Sequence, residues 1–144
     1  MRRFLTIALL SVAALRCATT PAPATADAPE IRITQLPPSE FEVQQQGADS
    51  IAYSMTVKNR SAEPITLKQI EMKTVGRSPY VLKTSPVPLD EKIDPGAEKV
   101  VPFSMWAYPN STKAGEMVWV QGTATFEGTK GSFKTPFAQS FRRP

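Results

Sequence analysis

Reactive side chains set the first bounds on this chain. Its 144 residues include no histidine. That removes the usual general base near neutral pH, the Ser-His-Asp and Cys-His arrangements, and every histidine-based zinc or copper site. Carboxylates remain. Asp90, Glu91 and Asp94 cluster around Lys92, while Glu71, Glu116 and Glu127 are spread along strand-like stretches. Paired carboxylates serve glycosidases, and oxygen ligands suit calcium, so a carboxylate-based enzyme or metal carrier is one reading. The DxDxDG spacing of a calcium loop is missing, however, and a solvated strand face accounts for the same residues. Neither GxxxxGK[ST] nor GxGxxG occurs, so no phosphate-cradling loop is expected. Gly115, Gly122, Gly128 and Gly131 stand where hairpin ends are expected. Met55, Met72, Met105 and Met117 could offer thioethers to copper, but each falls in an apolar strand pattern and reads as core filler. Asn59-Arg60-Ser61 and Asn110-Ser111-Thr112 match the glycosylation sequon. The expectation is a protein with no catalytic, cofactor-binding or metal-binding set.

Aromatic residues give the sharper surface hypothesis. Trp106 and Tyr108 have the parity opposite to Val101, Phe103 and Met105, and Trp119 the parity opposite to Val118 and Val120. If the valines point inward, Trp106, Tyr108 and Trp119 point outward and form an exposed patch of the kind that marks partner sites. A bulge would instead bring one or both tryptophans into the core or its rim.

The elements that must position these residues are strands. Ser50–Arg60 alternates strictly, with Ile51, Tyr53, Met55 and Val57 on one face, the pattern of a strand with one buried side. Ile65–Val75 follows a polar break. Its apolar parity changes between Ile65/Leu67 and Ile70/Met72, which a bulge near Lys68-Gln69 would reconcile. Further strands are expected at Glu30–Leu36, Tyr80–Thr84, Glu98–Tyr108, Glu116–Glu127 and Ser132–Phe141, with a short piece at Phe41 and Val43. Pro86–Ile93 reads as an irregular edge, and Asp94-Pro95-Gly96-Ala97 as a tight turn. Phe133, Phe137 and Phe141 also fit a helix face, but Thr135-Pro136 and the preceding glycine-bracketed turn favour a strand. Fourteen prolines against seven glycines argue for short strands and turns, not helices. Seven to nine strands spaced about ten residues apart indicate an all-β, immunoglobulin-like antiparallel sandwich.

Met1-Arg2-Arg3 followed by apolar Phe4–Leu15 reads as a signal peptide, residues 1–16; it is too short for the ~20 residues of a spanning helix. Removing Arg2, Arg3 and Arg16 with it takes the net charge from +4 to +1. No concentrated basic stretch then remains for nucleic acid. Residues 17–29, rich in Ala, Thr and Pro, form an extended or disordered tether, 30–141 the sandwich, and 142–144 a tail. Cys17, the only cysteine, resembles the lipidated cysteine of bacterial lipoproteins. That implies a membrane anchor through a lipid on Cys17, in the cell envelope, at the outer membrane facing periplasm or cell surface. Cleavage after Ala26 is the alternative; it would discard Cys17 and give a soluble secreted domain with a carbohydrate or peptide ligand.

Asn59-Arg60-Ser61-Ala62-Glu63-Pro64-Ile65-Thr66-Leu67, then Ile93-Asp94-Pro95-Gly96 before Val100-Val101-Pro102-Phe103, resembles immunoglobulin-like modules of bacterial envelope proteins. The closing segments Gly122–Phe126 and Gly131–Phe137 are also similar to the closing hairpin of WHy (late-embryogenesis type 2) domains. The resemblance implies a non-enzymatic envelope module that binds another envelope protein or polymer, or serves as a structural part.

Overall fold

Alternation in the Ser50–Lys58 segment becomes burial: Tyr53, Met55 and Val57 are fully enclosed and Ile51 nearly so. The structure is a computed structural model that describes residues 27–37, 47–110 and 115–143. Among them are eight strands and no helix: β1 (Glu30–Gln35), β2 (Asp49–Lys58), β3 (Ile65–Thr74), β4 (Tyr80–Leu82), β5 (Val87–Ile93), β6 (Glu98–Pro109), β7 (Met117–Gly128) and β8 (Gly131–Arg142). The expected leader, Cys17, most of the tether and the piece at Phe41 and Val43 lie outside the described residues.

All strand pairs are antiparallel. Sheet I has the order β1-β2-β6-β4 and sheet II the order β5-β3-β7-β8. Without β5, this is the strand layout of a constant-type immunoglobulin sandwich. After β4 joins the edge of sheet I, the chain returns to the β3 edge as β5 before re-entering sheet I as β6.

Side-chain parity builds the core. Leu67, Ile70 and Met72 from β3 and Val118, Val120 and Phe126 from β7 face Val57, Val101 and Met105 of sheet I, all buried. The parity change in β3 is a bulge: its register with both β5 and β7 shifts between Leu67 and Gln69. The inserted Lys68 keeps Leu67 and Ile70 on the same side. The Pro86–Ile93 segment, expected to be irregular, is a strand at the edge, with Pro88 opposite Gln69. The Phe133, Phe137 and Phe141 series is a strand, and all three rings share its inner face; Phe133 stacks on Phe126 at 5.4 Å and Phe141 meets Tyr53 edge-on at 6.3 Å.

Two side chains close the ends and edges. Asn59, fully buried, sends Nδ2 to the carbonyls of Glu63 (2.8 Å), Ile93 (3.2 Å) and Asp94 (3.2 Å) and accepts at Oδ1 from the Ser61 N–H (3.0 Å). It joins the β2–β3 loop to the Asp94–Ala97 turn, where Pro95 precedes Gly96 at φ 70° and the Ala97 N–H donates to the Asp94 carbonyl (3.1 Å). That is the φ > 0 which a type II turn demands at its third position. The sequon at Asn59 is thus a structural element whose amide is already engaged.

Gln139 acts at the β1 edge. The Leu36 N–H donates to Ala52 (2.9 Å), so even-numbered residues of β1 carry the ladder to β2 and the odd ones face outward from the sheet. At Ile33, Gln139 takes both groups: its Oε1 accepts from the N–H (2.8 Å) and its Nε2 donates to the carbonyl (2.9 Å). A side-chain amide from sheet II therefore stands in for a neighbouring strand and ties the two sheets together. At the β8 edge, the Arg143 N–H donates to the Glu116 carbonyl (2.9 Å). Odd residues of β8 thus pair with β7, and Pro136, being even, lies on the free side where its missing N–H costs no ladder bond.

Candidate functional site

The β2–β6 register runs without a shift from Asp49↔Ala107 to Lys58↔Glu98, and β7–β8 likewise from Met117↔Arg142 to Gly128↔Gly131. With no bulge to change parity, Trp106, Tyr108 and Trp119 all point outward, with relative exposures of 36%, 49% and 52%.

They do not form one patch. The reason is that β6 belongs to sheet I and β7 to sheet II, so outward means opposite directions for the two strands. On sheet I, Tyr108 lies directly across from Val81 of β4, itself about half exposed. The Lys83 N–H donates to the Trp106 carbonyl (2.7 Å), which sets the exposed Lys83 beside Trp106 on the same face. Val81, Lys83, Trp106 and Tyr108 thus make a compact apolar surface with one cation, at the short-strand edge. On sheet II, Trp119 is accompanied by Met117, also exposed. Met55, Met72 and Met105 are buried as expected, but Met117 is not: it shares the outward parity of Trp119. Val81 was missed because a three-residue strand has too little alternation to assign a face.

Beside Trp119 the outer face of sheet II is concave. A shallow open depression of about 650 Å³ is lined by Glu71, Lys73, Gln121, Thr123, Pro136 and Ala138. Its chemistry is mixed: one carboxylate, one ammonium, one amide and the hydroxyls of Thr84 and Thr123, with Met72 and Phe137 adding to the apolar part of the lining.

Glu30, Asp90, Glu91 and Asp94 are dispersed into separate ion pairs. Lys68 meets Asp90 at 2.6 Å, Lys99 meets Glu91 at 2.6 Å, Lys92 meets Asp94 at 3.8 Å, and Arg60 meets Glu30 at 2.5 Å. The hydrogen bond and charge of Arg60 hold the Glu30 carboxyl below its ordinary range, and those of Asp90 raise Lys68. Among the described residues no group of three His, Cys, Asp or Glu side chains is placed to hold a metal. Glu116 departs from the expected solvated face: its Oε2 is buried and meets no hydrogen-bond partner.

One buried polar chain lies under the sheet I surface. The Tyr80 hydroxyl donates to Gln35 Oε1 (2.8 Å), which leaves the Tyr53 hydroxyl as donor to Tyr80 (2.7 Å). Burial pushes Tyr80 up to about 12, and burial followed by the neighbouring Tyr80 raises Tyr53 further. These tyrosines are neutral core linkers, and a small recess of about 40 Å³ beside Tyr80 and Gln35 is room for little more than a water molecule.

No protein-family model and no curated protein matches this chain. Solved structures do. The chain is similar to the X-ray structure of Northeast Structural Genomics Consortium target SoR45, with TM-score 0.53 and 15% identity over 83% of this chain and 88% of that one. It is also similar to a protein from Archaeoglobus fulgidus, with TM-score 0.51 and 12% identity over 78% and 93% of the two chains. Both likenesses are of fold.

Proposed function

We propose that the protein is a non-enzymatic contact module of a bacterial cell envelope, an immunoglobulin-like sandwich tethered to a membrane by a lipid on Cys17. The observation that carries the contact role is the cluster of Val81, Trp106 and Tyr108 on the outer face of sheet I, contiguous apolar area left in water. The tether is supported by Cys17 standing one residue beyond the apolar Phe4–Leu15 run, after Arg16, and by the Ala-, Thr- and Pro-rich stretch between it and β1. A non-enzymatic role is supported by the dispersal of the carboxylates into exposed ion pairs.

The mass of the native mature N-terminus tests the tether: a diacylglyceryl Cys17 is expected, and an N-terminus at Asp27 refutes it. Trp106→Ser with Tyr108→Ser tests the contact role. The variant should fold with an unchanged melting temperature and lose association with envelope fractions. Retained association, or turnover or stoichiometric metal in the purified domain, refutes the reading.

A second reading is favoured by the depression beside Trp119: a secreted sandwich binding carbohydrate on the outer face of sheet II, with Trp119 stacking on a sugar ring and Glu71, Lys73 and Gln121 meeting its hydroxyls. Saccharides should then quench tryptophan fluorescence in the parent chain and in Trp106→Phe, but not in Trp119→Ala. Quenching that survives Trp119→Ala excludes this site.

A further inference from the structure

Charge is divided unequally between the two ends of the sandwich. The end where β1 begins holds the pairs Glu30–Arg60, Lys68–Asp90, Lys92–Asp94 and Lys99–Glu91, and its Lys58, Lys130 and Lys134 are matched in number by Glu63, Glu98 and Glu127, so its charges balance. The opposite end, where β6 finishes and β7 begins, holds Lys73, Arg77, Lys83, Arg142 and Arg143 against Asp49 and Glu116, with Glu71 at the boundary. Among the described residues Lys73, Arg77, Lys83 and Arg142 enter no ion pair. Among the described residues five of the seven large exposed apolar side chains, Val81, Trp106, Tyr108, Met117 and Trp119, lie at this same end, while Val100 and Phe133 lie at the other.

We propose that this end docks on an anionic phospholipid surface, sheet I leading, with Val81, Trp106 and Tyr108 entering the headgroup layer and Arg77 and Lys83 meeting lipid phosphates. The inference rests on the contact reading above and names the partner of that surface. Tryptophan and tyrosine carry an apolar body and a polar tip, which suits the boundary between hydrocarbon and water. A cation beside them adds attraction to anionic lipid that an uncharged surface does not provide. Lys83 has this placement: it is exposed, across the strand pair from Trp106 and, among the described residues, in no ion pair. A protein partner would be served by the aromatic cluster alone. The excess of cations over carboxylates at this end is what favours lipid.

The tether is compatible with this orientation. The chain enters at the far end of sheet I, and β6, with 12 residues, is about 40 Å long at ~3.3 Å per residue. The segment from Cys17 to Glu30 extends to roughly 43 Å at the same rise, enough to bring the aromatic end to the anchoring bilayer.

The test uses residues 27–144, which contain all eight strands and the whole core, so that neither leader nor lipid contributes; thermal melts verify folding of each variant. Co-sedimentation is measured with vesicles of phosphatidylcholine alone and of phosphatidylcholine with phosphatidylglycerol. Binding is expected only to the anionic vesicles, with a blue shift in tryptophan emission and weakening in high salt. Arg77→Gln with Lys83→Gln should lower the partition coefficient about twenty-five-fold, at ~1 kcal/mol or about fivefold per charge. Trp106→Ser with Tyr108→Ser should lower it about tenfold or more, whereas Trp119→Ser on the other face should change it less than about twofold. Absence of binding, equal binding to neutral vesicles, or indifference to both variant pairs overturns the proposal. If vesicles are ignored while Trp106→Ser/Tyr108→Ser still abolishes a contact with an envelope protein, the lipid inference falls and the contact reading stands.

Discussion

Replacing Asn59 tests whether one buried amide holds the tether-side end of the sandwich together. Its two Nδ2 protons serve three carbonyls, that of Glu63 at 2.8 Å and those of Ile93 and Asp94 at 3.2 Å each, while Oδ1 accepts from the Ser61 N–H at 3.0 Å and the Ser61 hydroxyl at 2.8 Å. Counted as two donated protons and two accepted bonds at about 1 kcal/mol net each, these sum to roughly 4 kcal/mol. Ser61 and Glu63 stand near solvent, so water recovers part of their share, and Asn59→Ala should cost about 2–3 kcal/mol. With a urea slope of about 1.5 kcal/mol/M, the midpoint should fall by about 1.3–2 M.

Asn59→Asp sharpens the test. It keeps the Oδ1 contacts but turns a carboxylate oxygen toward three carbonyls in a site closed to water, which raises the folded-state pKa above the unfolded one. A carboxyl of that kind gives full stability below its unfolded pKa and loses it as pH rises through the folded value. Asn59→Asp should therefore be less stable than Asn59→Ala at pH 7 and should gain on the parent chain as pH falls toward 5. Urea titrations at the two pH values decide it. If Asn59→Asp equals or exceeds Asn59→Ala at pH 7 and gains nothing on acidification, the amide does not hold these loops.

Gln139→Leu removes both bonds to the Ile33 backbone and should cost about 2 kcal/mol; hydrogen exchange should show the Ile33 amide losing protection while β2 keeps its own. Tyr80 stays protonated in the fold up to about 12, against the ordinary 10.0, and Tyr53 beyond that. Their stability contribution is thus complete below pH 10 and declines as pH rises toward 12, so Tyr80→Phe should flatten the alkaline loss of stability measured in urea. Pro136→Val restores a donor on the free side of β8, and gel filtration should reveal larger species that the parent chain does not form at the same concentration; an unchanged profile would show that this edge is guarded in some other way.

The short-range signals were readable from the chain. Period-2 alternation in Ile51–Val57 and the parity change between Leu67 and Ile70 report the local pleat, so β2 and the bulge at Lys68 were both legible. The outward direction of Trp106, Tyr108 and Trp119 was legible for the same reason, given an unbroken register. What alternation cannot encode is which sheet a strand joins. That depends on pairing between distant segments, so the separation of Trp119 from Trp106 was hidden, as was the pairing of Val81 with Tyr108. Gln139 was equally silent: its partner Ile33 is 106 residues away, and a polar residue on the inner face of a strand has no periodic signature. Tyr53 and Tyr80 read as apolar pattern residues, which they are, but their hydroxyls needed each other and Gln35.

The strand edges decide what kind of contact such a sandwich can make. A module that recruits partners by adding a strand needs a long open edge with free N–H and carbonyl groups. Here β1 has its edge occupied at Ile33 by Gln139, β4 is three residues long, β5 carries Pro88 with Asp90 and Lys92, and β8 presents Pro136. Each is a recognised device against edge pairing. With main-chain recognition disfavoured on every edge, association falls to side chains, and most of the large apolar ones left in water, Val81, Trp106, Tyr108, Met117 and Trp119, lie where β6 ends and β7 begins. Cations outnumber carboxylates there too, Lys73, Arg77, Lys83, Arg142 and Arg143 against Asp49, Glu71 and Glu116. Main-chain addition remains distinguishable by its trace: a partner that newly protects the outward amides of β8 or β5 from exchange would be using an edge, whereas one using the aromatic end would leave those amides exchanging as before.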